Sequence, residues 1–305
     1  MQATKQNSQV TLSDALILLV HYKWVITLPA LLIGIVVAYF VFSMPNVYRA
    51  EAILAPNQNL NGTQAGGSSG LGGLAQLAGV SLGTPQIDKI DLALEVMKSK
   101  IFINEFIENH LDLPKLIASE SWDKSSNTLV IDNSYYSVEN SAWIESPFNK
   151  NDDVPKTLDI YKSFFDDTIK IKQDKSTSII TISAEHISPY YAKLILDEFI
   201  NAINEKIKEQ DVSEAEESIL FLKQLLAETK VASLKKLIYE LMSSNMQTIM
   251  LANTRAEYIF KTVDPAFVDT NKVGPKRTFI IVLSVFFTGS LLFLCVLFRY
   301  FWVKK

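Results

Sequence analysis

The side chains able to perform acid–base or metal chemistry are few and scattered in this sequence. His186 follows Glu185 at the end of a β-branched run, and Asp166 and Asp167 form an acidic pair before another such run. Catalysis by a nucleophile or a bound metal needs several converging partners, and neither pair has them in its neighbourhood. We therefore assign no catalytic residue to either pair.

A further acidic group falls on a long predicted helix. Glu214, Glu216 and Glu217 crowd one turn, but no His or Asp stands at ligand spacing, so a solvated face is favoured over a metal site. The single cysteine, Cys295, excludes a disulfide framework within the chain and a multi-cysteine metal site. The sequence therefore predicts no enzyme, no cofactor and no metal.

Glycine is concentrated in one segment, because eight of the 11 glycines lie within 61–84. Gly70, Gly72 and Ala75 imitate the spacing of a dinucleotide-binding fingerprint. That motif must connect a strand directly to a helix, and no strand pattern runs into this segment. We expect a flexible loop with a patch of small packing residues.

Aromatic side chains punctuate a polar, turn-rich segment at 119–155, namely Trp122, Tyr135, Tyr136 and Trp143. Their faces suit stacking on sugar rings, but such residues more often cover a small core beneath a long loop. Both interpretations stay open at this point.

Two uncharged apolar runs account for much of the 48% hydrophobic content. The run 25–43 has 19 residues and the run 279–298 has 20. A helix needs about 20 apolar residues to cross a bilayer, so each run is long enough. No small-residue cleavage pattern follows the first run, which favours an uncleaved anchor. The sequence predicts two transmembrane helices in contact with membrane lipid.

The charge distribution predicts the orientation of these helices. The tails, 1–24 and 299–305, hold five bases and one acid, whereas the segment between them holds 24 bases and 32 acids. Basic tails stay cytoplasmic, and a long domain between two spans is translocated largely regardless of its charge. Lys276 and Arg277, on the outer side of the second run, oppose this trend without outweighing it. We expect both termini inside and the main domain outside, with no basic excess for nucleic acid.

The segment between the spans begins with a predicted base domain at 44–188. Alternating and helical periodicities predict a strand at 47–54, one or two helices in 87–111, a helix at 158–165, and strands at 168–172 and 178–184.

A long helical pattern follows at 189–260, with Ser188 as its cap and Pro189 in its first turn. An unbroken helix of this length would extend over about 100 Å. The chain must return to reach the second span, so we expect an extended hairpin and not a single rod. The apolar stripe is interrupted at 229–233, the favoured turn, with 243–245 as the alternative. Residues 261–278 then approach the second span.

Over essentially its whole length, the chain resembles the Wzz-type chain-length determinants, also called polysaccharide co-polymerases. The matched blocks are the VYRAEA strand, the GLGGLAQLAG stretch, EVMKS with the following helix, Trp122 with Trp143, and the approach to the second span. Asp269 and Lys272 stand where this family usually has prolines. The matched motif and membrane-approach positions are Tyr48, Gly72, Gly73, Asn253, Tyr258, Phe260, Asp264, Pro265, Pro275, Lys276 and Arg277.

The resemblance implies an α+β membrane protein in which two transmembrane helices flank a periplasmic α/β base domain with a long helical hairpin. It implies a homo-oligomeric ring in the bacterial inner membrane that works with a Wzy-type polymerase on lipid-linked polysaccharide. The expected function is non-enzymatic control of surface-polysaccharide length, with lipopolysaccharide O-antigen as the expected polymer. Kinase-bearing relatives carry Walker motifs, which this chain lacks. A structural adaptor for polysaccharide export is the alternative.

Overall fold

The computed structural model describes residues 22–57 and 89–303. The Gly-rich segment 61–84, with Gly72 and Gly73, lies outside the described residues, as do most of the N-terminal tail and the last two residues. The chain forms two compact units, one from Met1–Asn46 with Lys272–Lys305 and the other from Val47–Asn271.

The helices are α1 Lys23–Ser43, α2 Lys89–Lys98, α3 Lys100–His110, α4 Leu113–Ile117, α5 Thr157–Ser163, α6 Pro189–Glu228, α7 Ala232–Thr254 and α8 Arg277–Val303. The strands are β1 Val47–Pro56, β2 Ser119–Asp123, β3 Thr128–Ile131, β4 Tyr136–Ser137, β5 Ala142–Trp143, β6 Ile169–Gln173, β7 Ile180–His186, β8 Phe260–Asp264 and β9 Lys272–Gly274. A π-helical turn at Phe164–Thr168 follows α5.

The terminal unit pairs the two apolar helices, α1 and α8, each long and apolar enough to cross a membrane. They pack closely at Gly34, where an added Cβ would lie 2.5 Å from Cγ2 of Val285. Gly34 and Ala30 are both buried, and small residues at this spacing let helix backbones approach each other. Gly289, by contrast, has nothing within 4 Å of the corresponding point among the described residues.

The second unit is built on an antiparallel sheet with the strand order β6-β7-β1-β8. Strand β1 buries alternate residues, Tyr48, Ala50, Ala52 and Leu54, so one face of the sheet packs against helices. Strand β7 is rich in β-branched residues, which suit a pleated, buried surface. This α+β architecture confirms the predicted fold class.

Aromatic side chains form the centre of the core between the sheet and the helices. Phe106 on α3 lies 5.2 Å from Phe199 on α6, 5.8 Å from Phe164 and 6.3 Å from Phe102, measured between ring centroids. All four rings are buried. Such offset and edge-on pairs add to the stabilisation from buried apolar area. The beginning of α6 is thus part of the core, and only its later turns extend beyond it.

The hairpin consists of α6, with 40 residues, and α7, with 23 residues. Ser188 caps α6, because its Oγ accepts a hydrogen bond from the N–H of Tyr191 at 3.3 Å, and Pro189 opens the first turn as predicted. At 1.5 Å per residue α6 is about 60 Å long. The chain reverses between Glu228 and Ala232, within the favoured interruption at 229–233, and the alternative 243–245 continues α7.

The expected bounds of the hairpin need one correction. Helical periodicity extended it to Phe260, but α7 ends at Thr254 and Phe260 begins strand β8. The backbone around Phe260 bonds to β1, where Pro56 is its register partner, instead of continuing the helix. The approach at 261–278 therefore starts inside the sheet.

The segment 119–155 contains two short antiparallel hairpins that sequence reasoning missed, β2–β3 and β4–β5. Their strands have only two to five residues, too few for a clear alternation. Asp132 shapes one of the connecting turns, since its Oδ1 accepts hydrogen bonds from the N–H and hydroxyl of Ser134. Within β4–β5, Tyr136 packs edge-on against Trp143.

Candidate functional site

The segment that leaves α7 and enters β8 is held to the base of the hairpin by one buried amide. Oδ1 of Asn204, on α6, accepts hydrogen bonds from the backbone N–H of Ile259 at 2.9 Å and of Phe260 at 3.0 Å. Its Nδ2 donates to the carbonyl of Ile200 at 3.0 Å. A buried polar side chain is tolerated in a core when it is hydrogen-bonded in this way. Asn204 therefore ties the outgoing limb of the hairpin to the returning chain.

Tyr258 adds a second link between the returning chain and α6. Its hydroxyl donates to Oδ2 of Asp211 at 2.5 Å, and Nζ of Lys89 lies 2.9 Å from the same oxygen. Burial, followed by the bonded Asp211 carboxylate, raises the pKa of Tyr258 well above its ordinary value. The phenol therefore stays protonated and remains a donor throughout the physiological pH range.

The end of β1 bonds to the same segment through its backbone and side chain. The N–H of Asn57 donates to the carbonyl of Ile259 at 3.0 Å, and its Nδ2 donates to the carbonyls of Tyr258 at 3.2 Å and Glu257 at 3.3 Å. The carboxylate of Glu257 accepts the N–H of Thr262 at 2.9 Å. We call the contacts of Asn204, Asp211 and Asn57 with Glu257–Phe260 the hairpin latch. The role of the hairpin latch is structural, since its hydrogen bonds fix the positions at which both limbs of the hairpin leave the base.

The predicted motif positions fall in separate parts of the structure. The latch brings together two of them, Tyr258 and Phe260, both fully buried. Asn253, Asp264 and Pro265 are exposed around it, at the end of α7 and of β8. Sequence reasoning missed Asn204, Asp211 and Asn57. The available sequence signal was that Asn204 is itself a polar residue within the apolar stripe of α6.

The membrane-approach positions lie in the terminal unit. Nη2 of Arg277 donates to the carbonyl of Met44, the residue after α1, at 2.8 Å, and the guanidinium carbon lies 5.5 Å from the ring centroid of Phe42. Arg277 thus caps the C-terminal end of α1, where a cation complements the helix dipole. Pro275 accepts the N–H of Arg277 through its carbonyl at 2.9 Å, and Lys276 is exposed.

A second cluster, which we call the aromatic cluster, surrounds Trp122 on the base. The ring of Trp122 lies 5.4 Å from that of Tyr48 at 76° and 6.0 Å from that of Tyr190 at 50°. Nζ of Lys124 lies 5.9 Å from the Trp122 ring and 6.0 Å from the Tyr48 ring. The indole N–H donates to Oδ1 of Asn127 at 3.0 Å, which fixes the orientation of the ring.

The turn between β2 and β3 supports this cluster. The carboxylate of Asp123 accepts hydrogen bonds from the hydroxyls of Ser126 and Ser125, both at 2.7 Å. These bonds lower the pKa of Asp123 to about 2, with that from Ser126 the largest cause. The carboxylate is therefore ionised, and the turn is held by its own side chains.

His186 has a structural role within the base domain. Its Nδ1 accepts the N–H of Ser188 at 3.1 Å, and its Nε2 donates to the carbonyl of Lys115 at 3.0 Å. Burial lowers the pKa of His186 to about 4, so the ring is neutral. Within residues 22–57 and 89–303, no group of three or more His, Cys, Asp or Glu residues is placed to hold a metal ion.

These elements define an α+β unit with a long helical hairpin, joined in sequence to two apolar helices. Among solved structures the chain is similar to a full-length bacterial polysaccharide co-polymerase, with 12% identity, a TM-score of 0.39, and coverage of 97% of this chain and 99% of that chain. It is also similar to a fragment of WzzB, a polysaccharide co-polymerase from Salmonella Typhimurium, with 12% identity, a TM-score of 0.33, and coverage of 75% and 100%. No protein-family model and no curated protein matches the chain. Both TM-scores are below 0.5.

Proposed function

We propose that this protein is a non-enzymatic regulator of surface-polysaccharide chain length in the bacterial inner membrane. In this proposal, copies of the chain form a homo-oligomeric ring that works with a Wzy-type polymerase on lipid-linked polysaccharide, and the polymer is the O-antigen of lipopolysaccharide. The protein acts as a scaffold, without a catalytic site of its own.

The observation that carries the proposal is the exposed apolar surface of the hairpin. On α6, Leu220 and Phe221 are 61% and 64% exposed, and on α7, Tyr239, Met246 and Met250 are 59%, 60% and 60% exposed. Two helices bury only the surface between them, and large apolar side chains on their outer faces call for a further partner. A neighbouring copy supplies such a partner, and contacts repeated from one copy to the next close into a ring.

Membrane insertion of α1 and α8 is supported by the residues at their ends. Arg277 at the start of α8 contacts Met44 and Phe42 at the end of α1, so the two helices run antiparallel. Trp24 and Trp302 consequently lie toward the same end of the pair, and both are exposed. Tryptophan is enriched at both membrane–water interfaces, so these residues mark this end as an interface, and the basic tails assign it to the cytoplasmic surface.

The latch supports a scaffolding role. Asn204, Tyr258 and Asn57 fix both limbs of the hairpin to the sheet through hydrogen bonds, so the limbs leave the base at a defined place. A ring of identical hairpins, each built on α6 with its length of about 60 Å, offers the polymerase a stable periplasmic assembly.

The primary test is a gel of lipopolysaccharide from the wild type and from a clean deletion in an otherwise competent strain. We expect the clustered distribution of O-antigen lengths to become a steadily decaying one. Complete loss of long polymer would instead support the export adaptor. An unchanged distribution would contradict control of O-antigen length and would direct the same measurement to capsule or exopolysaccharide.

The ring is tested separately with full-length protein in nanodiscs or detergent. We expect the double substitution Phe221→Glu with Met250→Glu to dissociate the assembly, because it places two charges in the surface assigned to the neighbouring copy. Gln224→Glu adds a charge at an exposed polar position of the same helix and serves as the control. Mass photometry that showed equal masses for both variants would exclude this hairpin surface as the contact.

A further inference from the structure

We propose that the aromatic cluster is a glycan-binding site, in which Trp122 and Tyr190 stack on sugar rings and Lys124 contacts a polar or acidic substituent. The class of ligand rests on the proposed function, since a length regulator works beside a growing polysaccharide.

The aromatic cluster combines one buried ring with two rings that are accessible to solvent. Tyr48 is 4% exposed and supports Trp122 edge-on, whereas Tyr190 is 48% exposed and Trp122 is half-buried. The planes of Trp122 and Tyr190 diverge by 50° with their centroids 6.0 Å apart. Here two neighbouring rings keep surface in contact with water.

Trp122 is held in position before any ligand arrives. Its N–H donates to Asn127, which stands in the β2–β3 turn with a positive φ of 53°. Ser126 in the same turn bonds to Asp123 and to Thr128, each at 2.7 Å. A ring fixed by its own turn loses little conformational freedom on binding, which favours affinity.

The polar groups around the rings suit a carbohydrate. A sugar presents apolar C–H faces that pack on an aromatic ring, and hydroxyls that need donors and acceptors at the rim of the contact. The ammonium of Lys124 is close to both Trp122 and Tyr48, and forms no ion pair with any residue in 22–57 or 89–303. It is therefore available to a sugar hydroxyl, carboxylate or phosphate group.

The chain provides a matched control in its other short hairpin. Trp143 on β5 is also half-buried and also packs edge-on against a tyrosine, Tyr136, with centroids 5.1 Å apart. Among the residues that the structure describes, neither a second exposed ring nor a lysine lies over Trp143. The two tryptophans thus differ in the features on which the proposal depends.

The experiment measures binding of delipidated surface polysaccharide, purified from the source strain, to full-length protein in nanodiscs by saturation-transfer NMR and calorimetry. We expect Trp122→Ala to weaken binding at least tenfold, Tyr190→Ala to weaken it several-fold, and Trp143→Ala to leave it unchanged. Trp122→Phe retains an aromatic face and should restore most of the affinity. Lys124→Ala should reduce affinity most for a polymer with acidic residues and flatten its dependence on salt.

Equal affinity of the Trp122→Ala and Trp143→Ala variants, both folded by thermal unfolding, would overturn the proposal, as would no binding by the wild type. If Trp122→Ala fails to fold, the affinities of the Trp122→Phe and Tyr190→Ala variants for the glycan still test the proposal. Loss of subunit association with unchanged glycan binding would reassign the cluster to an interface between copies and overturn the proposal. Failure of the proposed function is distinguishable, because it appears as an unchanged length distribution in the deletion strain while binding by Trp122 persists.

Discussion

A single side-chain oxygen of Asn204 accepts the backbone N–H groups of both Ile259 and Phe260, at 2.9 and 3.0 Å. Asn204 precedes both residues by more than fifty positions and lies on the outgoing side of the hairpin, whereas Ile259 and Phe260 lie on the returning side. The bond satisfies two buried donors at the point where the chain changes from helix to strand. It therefore connects the geometry of the hairpin to the register of the sheet.

Asn204→Ala should destabilise the protein by about 2–4 kcal/mol, because it leaves two buried N–H groups without an acceptor. Asn201→Ala changes an exposed asparagine on the same helix and should have little effect. Chemical unfolding of the full-length protein in detergent measures both variants. Equal losses of stability in the two would show that the Asn204 bonds contribute nothing specific.

Tyr258→Phe should cost about 2 kcal/mol, because it removes a hydrogen bond to a charged carboxylate while keeping the ring. Tyr239→Phe, at an exposed position of α7, is the control. The same unfolding measurement with Asp211→Asn and with the double variant completes a thermodynamic cycle. Additive effects of the two changes would exclude a direct energetic coupling between Tyr258 and Asp211.

The parts of the fold that depend on local sequence were predictable. Ser188 and Pro189 signal the start of α6, because a hydroxyl cap and a proline in the first turn act within four residues. The interruption of the apolar stripe after Glu228 is likewise a local feature of the sequence, and it predicts the reversal of the chain. The apolar runs that became α1 and α8 are equally local, since only length and hydropathy define them.

The parts that depend on distant pairing were not predictable from one sequence. Phe260 lies in a helical pattern, yet it becomes a strand because its register partner Pro56 stands about two hundred residues earlier. The roles of Asn204 and Asp211 in the hairpin latch were likewise not predictable, because their hydrogen-bond partners lie in the returning chain. The aromatic residues of 119–155 were noticed, but the contact between Trp122 and Tyr190 depends on the placement of α6.

Acidification should destabilise the protein through His186. Burial lowers its pKa to about 4, below the ordinary 6.5, so between these pH values the unfolded chain binds a proton that the folded chain does not. Stability is therefore fully present above about pH 6.5 and is lost progressively as the pH falls toward 4, by roughly 3 kcal/mol. His186→Asn keeps a polar side chain but cannot titrate. Unfolding free energies at pH 7 and pH 4.5 should differ less in this variant than in the wild type, and equal differences would exclude His186 as the cause.

The two glycines of the apolar helices should respond oppositely to the same substitution. An added Cβ at Gly34 would lie 2.5 Å from Cγ2 of Val285, so Gly34→Ala must displace a side chain or separate α1 from α8. Overpacking of this kind costs about 1–3 kcal/mol. Gly289→Ala meets nothing within 4 Å among the described residues and should be neutral or slightly stabilising, because alanine favours a helix more than glycine does. Thermal unfolding in nanodiscs, combined with disulfide cross-linking of cysteines placed at Ala30 and Thr288, measures stability and helix separation together. Equal behaviour of the two variants would show that Gly34 does not set the distance between these helices.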